Sequence, residues 1–143
     1  MAPIRLEVVT PERVVLQDDA DIVIARGAEG DLGILHGHEP LLTPLDIGEL
    51  TYRRDGQEFH LAVAGGFLEV TPEKVVILAD VAERSEEIDR QRAEQAREAA
   101  EQALAQHQGT EVEAQAAASL QKALLRLRVA ERRHRRERPM PQE

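Results

Sequence analysis

Two histidines in a glycine-rich stretch are the first residues whose type and spacing could do chemistry. His36 and His38 stand two positions apart, with Asp31 before them and Glu39 after them. Imidazole and carboxylate groups are common metal ligands, but spacing of this kind is weak evidence for a metal site. The segment Gly-Ile-Leu-His-Gly-His-Glu-Pro is more typical of a loop that presents polar groups to solvent or to a partner. We therefore predict an exposed loop and no metal site.

Basic residues concentrate near the end of the chain. Residues 120–143 carry 8 basic and 3 acidic residues, a net charge of +5, whereas residues 1–84 carry 7 basic and 16 acidic residues, a net charge of −9. An acidic body with a basic tip argues against general nucleic-acid binding, which needs a broad basic face. The tip suits an acidic patch on a partner protein. The alternative is a solvated helix end whose cations complement the negative helix dipole.

Several classes of chemistry find no support in the sequence. The chain has no cysteine, which excludes disulfides, thiolate metal sites and a cysteine nucleophile. We find no glycine-rich phosphate loop of the Walker type and no nucleophile elbow. The beginning of the chain does not read as a secretory signal, and no apolar run approaches the roughly 20 residues of a membrane-spanning helix. The residues alone indicate a non-enzymatic protein that offers binding surfaces.

The elements that must position these groups are strands in the first part of the chain. Apolar and polar residues alternate from residue 4 to 9 and from residue 59 to 64, and the strand pattern continues to Ala79. We expect an acidic turn at Asp18-Asp19 and a tight hairpin turn at Asp55-Gly56. For Gly65-Gly66 we expect a bulge or a close backbone approach. Short strands with turns every eight to twelve residues predict an antiparallel sandwich or barrel.

The second part of the chain has a helical pattern. Ser85 is the expected N-cap of a first helix that ends at Gly109. Thr110 and Glu113 form a predicted capping box that begins a second helix, and Pro139 ends it. The expected apolar stripes are Ala93, Ala96, Ala100, Ala103 and Leu104 on the first helix, and Val112, Ala116, Leu120, Ala123, Leu124 and Leu127 on the second. Two helices joined by a short glycine loop predict an antiparallel hairpin. A face of alanine buries little apolar area, so we expect marginal stability.

Three segments together resemble the ATP synthase epsilon family. They are residues 30–45 (GDLGILHGHEPLLTPL), residues 64–79 (AGGFLEVTPEKVVILA) and residues 88–93 (IDRQRA). The resemblance covers about residues 4–131. It implies an α+β chain with a ten-stranded N-terminal antiparallel β-sandwich over residues 1–84, which binds the gamma subunit and the membrane c-ring. A regulatory two-helix hairpin over residues 85–138 and a disordered tail over residues 139–143 complete the expected domain organisation.

The function implied by this resemblance is that of a non-catalytic rotor subunit of the proton-translocating F-type ATP synthase. Such a subunit couples the catalytic head to the c-ring and inhibits ATP hydrolysis through its C-terminal helices. The implied partners are the gamma subunit, the c-ring and the alpha and beta catalytic subunits, on the cytoplasmic face of the bacterial plasma membrane. A chaperone or scaffold with a β-body and a coiled-coil hairpin is the alternative.

The resemblance also implies binding residues. The loop residues expected to contact the c-ring or the gamma subunit are Asp31, His36 and His38. The segment from residue 88 to 93 is similar to an ATP-binding motif, and the candidate set is Glu83, Ile88, Asp89, Arg92, Ala93 and Arg126. No cofactor is required, and ATP is expected only as a weak regulatory ligand. The residues expected to contact the beta subunits are Arg126, Arg128, Arg132 and Arg133.

The candidate ATP set departs from the family pattern at two positions. Ala99 and Lys122 occupy positions where phosphate-holding arginines are expected. Losing one cation and replacing a planar guanidinium with a point charge both weaken phosphate recognition. Asp89 and Arg92 share a helix face, so that one can take an adenine or ribose group and the other a phosphate. The alternative is that Asp89 caps the helix and pairs with Arg92 in solvent.

Overall fold

The computed structural model describes residues 2–27 and 29–137, with side chains described through residue 132. By its internal contacts the chain divides into two compact units, Met1–Arg84 and Ser85–Glu143. The predicted disordered tail, residues 139–143, and the last residue of the predicted hairpin lie outside the described residues.

The first unit consists of strands and the second of helices. The strands are β1 (Ile4–Val9), β2 (Val14–Ala20), β3 (Ile22–Gly27), β4 (Gly30–Ile34), β5 (Leu41–Pro44), β6 (Gly48–Arg54), β7 (Gln57–Val70) and β8 (Lys74–Arg84). The second unit begins with a short 3-10 turn, Ser85–Glu87, followed by α1 (Arg90–Gln106) and α2 (Glu111–Glu137).

The strands form a sandwich because the two longest strands serve both layers. Strands pair in the order β2-β1-β8-β7-β6-β3-β4, and β5 pairs with β7. The second half of β7 pairs with β5, and its first half pairs with β6. The first half of β8 lies parallel to β1, and its second half pairs only with β7. The predicted ten strands are therefore eight here, and counting the halves of β7 and β8 separately gives ten.

Gly65 and Gly66 allow β7 to pass from one layer to the other. Both glycines have positive φ, +71° and +101°. A Cβ atom on Gly66 would lie 1.9 Å from the backbone oxygen of Leu78 on β8. The Gly66 carbonyl also accepts a hydrogen bond of 2.9 Å from the Leu45 N–H, just beyond β5. The predicted close backbone approach is thus correct, and only glycine fits it without displacing β8.

The two layers enclose one apolar core and are joined by a polar link. Core residues come from β1, β2, β3, β4, β6, β7 and β8. On β6, the buried Tyr52 stacks on Phe59 with ring centroids 4.9 Å apart. Its hydroxyl donates a hydrogen bond of 3.0 Å to Asp18 Oδ2 on β2, and Arg54 Nη1 lies 2.6 Å from Asp18 Oδ1. Strands β2 and β6 are not neighbours in the strand order, so this link connects opposite layers.

The same link explains why the predicted acidic turn at Asp18-Asp19 is wrong. Both residues lie inside β2, paired with β1, and the chain turns only at Asp21. Asp18 is held by Tyr52 and Arg54, while Asp19 Oδ1 lies 3.6 Å from Arg5 Nη1. Partners on other strands offset the poor strand preference of aspartate, which a local sequence pattern does not reveal.

Other turns and ends show what local sequence does and does not specify. Asp55 and Gly56 both have positive φ, +52° and +79°, and they join β6 to β7 as the predicted hairpin turn. Strands β4 and β5 were not predicted. The strand pattern was expected to end at Ala79, but β8 continues to Arg84, which pairs with Leu61.

The two helices pack through small side chains. Alanines recur at intervals of seven among the buried positions, at Ala93 and Ala100 on α1 and at Ala116, Ala123 and Ala130 on α2. This spacing gives close, coiled-coil-like packing with little apolar area. The predicted stripes are partly wrong: Ala96 is exposed, and Leu124 is exposed while Leu125 is buried. No helix in the described part of the chain is long and apolar enough to cross a membrane.

The predicted capping box between the helices is also altered. Glu113 Oε2 accepts a hydrogen bond of 2.8 Å from the N–H of Gly109, one residue before the expected partner. The hydroxyl of Thr110 donates instead to the carbonyl of His107, at 2.7 Å. Both side chains therefore stabilise the connection at Gly109, whose φ of +79° makes the turn.

We predict that Gly66→Ala destabilises the sandwich by at least about 3 kcal/mol, because backbone strain adds to a contact with the β8 backbone. Tyr52 is the single tyrosine of the chain and is buried, so its fluorescence during urea unfolding reports on this unit. Gly33→Ala is the matched control, since a Cβ there meets nothing within 4 Å. Equal midpoints for the two variants would contradict the role given to Gly66.

Candidate functional sites

The histidine loop is a fixed turn. It follows β4 and is closed by a hydrogen bond of 3.1 Å from the His38 N–H to the Leu35 carbonyl. Gly37 has a φ of +88°, and a turn with a positive φ at this position favours glycine. The N–H of Gly37 donates a hydrogen bond of 2.7 Å to the Pro72 carbonyl. His36 is exposed, while His38 is half-buried with Nδ1 2.7 Å from the Glu39 carbonyl. The turn therefore presents His36 on a backbone anchored to the β7–β8 connection.

Asp31 does not join the histidines in one cluster. It is exposed near the start of β4, paired with Arg26 on β3, whereas both histidines follow the end of that strand. The part of β4 from Asp31 to its end at Ile34 is roughly 10 Å long, so Asp31 lies at least that far along the strand from the histidine turn. Asp31 instead borders a hollow of about 240 Å³ lined by Gly27, Glu29, Gly30, Asp31, Leu32, Leu41 and Thr43. Within residues 2–27 and 29–137, no three His, Cys, Asp or Glu residues are arranged to hold a metal ion.

Asp89 is the N-cap of α1. Its backbone is extended, with φ −83° and ψ 104°, and its Oδ1 accepts a hydrogen bond of 3.1 Å from the Arg92 N–H. Arg92 Nε lies 3.9 Å from Asp89 Oδ2, in a pair whose side chains are 81% and 55% exposed. The prediction that Ser85 caps the helix is wrong: Ser85 is buried and opens the preceding 3-10 turn. Asp89 takes this role because its short carboxylate reaches the free N–H groups of the first turn.

The other members of the candidate ATP set differ in accessibility. Ile88 and Ala93 are buried, at 2% and 0% exposure, so their side chains are packing groups. Glu83 lies on β8, paired with Ala62, and Arg126 is a half-buried residue of α2. The structure thus presents Asp89 and Arg92 to solvent as an adjacent acid and base.

No nearby cation on α1 replaces the arginine missing at Ala99. Arg97 is two residues away, but its guanidinium contacts Glu94 and lies 2.8 Å from Glu101 Oε1. The hydrogen bond with Glu94, and then that with Glu101, raises the pKa of Arg97 above its ordinary value. The guanidinium therefore stays charged and engaged with these carboxylates. On α2, Lys122 is exposed.

The basic tip lies on the continuous helix α2 and surrounds it. Arg126 and Arg128 are two residues apart, which is about 200° around a helix, so they lie on nearly opposite sides. Arg128 and Arg132 are four apart and share a face. Arg128 is exposed and Arg132 is half-buried, while the side chain of Arg133 lies outside the described part of the chain. Arg126 and Arg128 therefore cannot meet one flat surface together.

Local sequence patterns do not reveal an outward-facing set of apolar residues on the sandwich. Phe67, Leu78 and Val14 are 52%, 51% and 55% exposed. The strand pattern predicted up to Ala79 does not show which of these residues face outward or which neighbouring strands align them. Only the strand register brings these residues together.

Each of the two units matches a family of ATP synthase delta/epsilon domains. Residues 3–85 match the family described as ATP synthase, Delta/Epsilon chain, beta-sandwich domain. Residues 86–131 match the family described as ATP synthase, Delta/Epsilon chain, long alpha-helix domain. The boundary between the matches agrees with the division into two compact units.

Close relatives extend over almost the whole chain. An ATP synthase epsilon chain of Herpetosiphon aurantiacus is 53% identical over 135 residues, covering 94% of this chain and 99% of the relative. An ATP synthase epsilon chain of Moorella thermoacetica is 54% identical over 132 residues, covering 91% and 98%.

A solved structure shares the fold. A chain in the Euglena gracilis mitochondrial ATP synthase, OSCP/F1/c-ring in rotational state 1, superposes with a TM-score of 0.76 at 28% identity, covering 91% of this chain and 82% of that chain. The architecture of a β-sandwich followed by two helices, the two family matches and the full-length relatives agree. The chain belongs to the ATP synthase epsilon chain family, whose members are non-catalytic subunits of the synthase.

Proposed function

We propose that this chain is a central-stalk rotor subunit of a bacterial proton-translocating F-type ATP synthase. In this role it couples the catalytic head to the c-ring and restrains ATP hydrolysis through its helical hairpin. The observation that carries the proposal is the full-length similarity to bacterial epsilon chains, at 53% identity over 94% of the chain. The similar Euglena chain, from an assembly described as OSCP/F1/c-ring, supports the same partners.

The sandwich is the coupling unit in this proposal. Its turn at His36 and His38 and the neighbouring Asp31 offer polar groups to the c-ring or the gamma subunit. Two hydrogen bonds hold the turn, from His38 to Leu35 and from Gly37 to Pro72. A contact surface that transmits torque needs a fixed backbone, and this support favours the turn over a freely moving loop. The chain would act at the cytoplasmic face of the plasma membrane, attached through these partners.

The helical hairpin is the regulatory unit. Its helices meet through alanines, which contribute little apolar area, and Val112 and Leu124 of α2 remain exposed. At about 25 cal/mol per Å² of apolar surface, such packing gives only modest stabilisation. A hairpin of modest stability can change from a compact to an extended arrangement when a partner binds the extended arrangement more tightly. In the extended arrangement, Arg126, Arg128, Arg132 and Arg133 would contact acidic surface on the beta subunits.

ATP is proposed as a weak regulatory ligand of the hairpin. Asp89 and Arg92 supply an exposed carboxylate and guanidinium within 3.9 Å of each other. Ile88, Ala93 and Arg126 of the helical unit complete the proposed site, with Ile88 and Ala93 contributing packing. Ala99 and Lys122 lower the expected affinity for the phosphates. A ligand present at its Kd stabilises the state that binds it by only about 0.4 kcal/mol.

A chaperone or scaffold role is the competing function. Both roles use a β-body and a helical hairpin, but only the rotor role requires stable incorporation into an ATPase complex. Purification of the tagged full chain from the native membrane, followed by an assay of ATPase activity in the eluate, separates them. Recovery of diverse client proteins without ATPase subunits would favour the chaperone role.

For the nucleotide site, we expect Arg92→Ala to weaken ATP binding about tenfold or more, because a charge-assisted hydrogen bond is worth about 1.5–3 kcal/mol. Titration calorimetry on the full chain measures this effect. Asp89→Ser keeps an N-cap oxygen while removing the carboxylate, and Asp89→Ala removes both, so the pair separates capping from binding. Arg90→Ala is the control for a nearby exposed cation. Unchanged affinity in Arg92→Ala and Asp89→Ser would mean that the motif only caps the helix.

For inhibition, we expect deletion of residues 85–143 to raise ATP hydrolysis by the reconstituted complex, with proton coupling retained. Each exposed ion pair is worth about 0.2–1 kcal/mol, so changing all four arginines to glutamine should shift the balance about tenfold. Comparison of the double variant Arg128→Gln/Arg132→Gln with Arg126→Gln shows which side of the helix makes contact. Lys122→Gln is the control for the loss of a cation elsewhere on α2. If the deletion activates hydrolysis and the fourfold variant does not, the inhibition is steric.

A further inference from the structure

The connection between β7 and β8 is itself a closed turn. The N–H of Thr71 donates a hydrogen bond of 2.8 Å to the Lys74 carbonyl, and the Thr71 hydroxyl donates to the same carbonyl at 3.2 Å. Between these two residues stands Pro72, whose ring fixes its φ at about −65°. The turn therefore holds the Pro72 carbonyl in one direction, and a side-chain hydroxyl adds to the backbone hydrogen bond that closes it.

The Pro72 carbonyl is the acceptor that anchors the histidine turn. The Gly37 N–H donates to it at 2.7 Å, and Gly37 directly follows the exposed His36. The neighbouring Glu73 carbonyl accepts a hydrogen bond of 3.0 Å from the N–H of Arg5, near the start of β1. The β7–β8 turn thus joins the histidine turn to the paired strands β1 and β8.

The chain uses the same turn chemistry at a second place. Residues 71–74 read Thr-Pro-Glu-Lys, and residues 10–13 read Thr-Pro-Glu-Arg. The Thr10 N–H donates to the Arg13 carbonyl at 2.9 Å, and the Thr10 hydroxyl donates to it at 3.4 Å. The two turns lie at opposite ends of β1, because β1 begins beside Lys74 and runs into Thr10. The motif therefore closes a turn in both places, and its second copy is the one that meets the histidine turn.

The other side chains of the β7–β8 turn are directed elsewhere. Lys74 Nζ lies 3.2 Å from Glu7 Oε2 on β1, and the side chains of Pro72 and Glu73 are exposed. Thr71 is half-buried, and a hydrogen bond screened from solvent is stronger than one in open water. Among the side chains of residues 71–74, the Thr71 hydroxyl is the group that bonds within the turn.

We propose that Thr71 is a positioning residue for the partner contact made by His36. The hydroxyl of Thr71 stiffens the turn, the Pro72 carbonyl holds Gly37, and Gly37 sets the direction in which the exposed His36 is presented. A contact group that is already in place binds more tightly, because less freedom is lost on binding. Within the proposed function, on which this inference rests, the c-ring is the partner that meets His36.

The test measures binding of the purified c-ring, in detergent, to the complex of the full-length chain with the gamma subunit. Thr71→Val removes the hydroxyl and keeps the β-branched shape, Thr71→Ser keeps the hydroxyl, and Thr10→Val makes the same change in the matching turn. We expect about two- to tenfold weaker c-ring binding for Thr71→Val, the effect of one hydrogen bond. Thr71→Ser and Thr10→Val should bind the c-ring like the wild-type chain, and all three variants should retain gamma.

A double-mutant cycle with His36→Ala separates positioning from general support of the fold. If Thr71 acts through His36, Thr71→Val weakens c-ring binding in the wild-type background and has no further effect in the His36→Ala background. A merely structural role gives the same loss in both backgrounds.

Equal c-ring affinity of the Thr71→Val and wild-type chains, or an equal loss in both backgrounds, overturns the role of Thr71 and leaves the rotor function intact. Parallel loss of gamma binding would assign Thr71 to the stability of the sandwich and also overturn the proposal. Wild-type affinity of His36→Ala overturns both this role and the His36 contact. Failure of the wild-type complex to bind the c-ring overturns the proposed function as well.

Discussion

The close approach between Gly66 on β7 and Leu78 on β8 is the constraint on which the sandwich depends. A Cβ at residue 66 would lie 1.9 Å from a backbone oxygen, so these strands pass at a distance that no other residue type allows. Because β7 changes layers here, its first half pairs with β6 and its second half with β5. The core between the layers, the Tyr52–Asp18 link across it and the outward position of Phe67 all follow from that crossing.

The helical unit is built on a different principle. Its buried positions are mainly alanines, which bring the helices close but remove little apolar surface from water. Its ends depend on single side chains: Asp89 satisfies the first turn of α1, and Glu113 reaches back to Gly109 between the helices. A sandwich with a dense aliphatic core and a hairpin with few large buried groups fit the division of roles proposed for them. In that proposal the sandwich transmits force and the hairpin changes arrangement.

The groups proposed to bind partners lie on the surface of this protein. The turn at His36, the adjacent Asp89 and Arg92, and the arginines of α2 are each proposed to meet a different partner. Their chemistry differs accordingly: polar groups on a rigid turn, an acid and a base in solvent, and a ring of cations. A subunit that touches several proteins at once needs such separate faces, and a small, mainly aliphatic core holds those of the sandwich.

Features that depend on neighbours along the chain could be predicted from the order of residues. The Asp55-Gly56 turn, the alternation of β1, the change to helix after residue 84 and the connection at Gly109 are set by local backbone preference, and each appears in the structure. The family resemblance of residues 30–45, 64–79 and 88–93 was equally visible, because it lies in the order of residue types.

Features that depend on partners from distant strands could not be predicted, because these partners become neighbours only in the folded chain. Asp18 lies in a strand because Tyr52 and Arg54 hold its carboxylate, and neither is near it in sequence. Leu125 is buried and Leu124 is exposed because packing within the helical unit selects which leucine faces inward. The alignment of the outward-facing Phe67, Leu78 and Val14 exists only through the register of β7, β8, β1 and β2, and no local pattern aligns them.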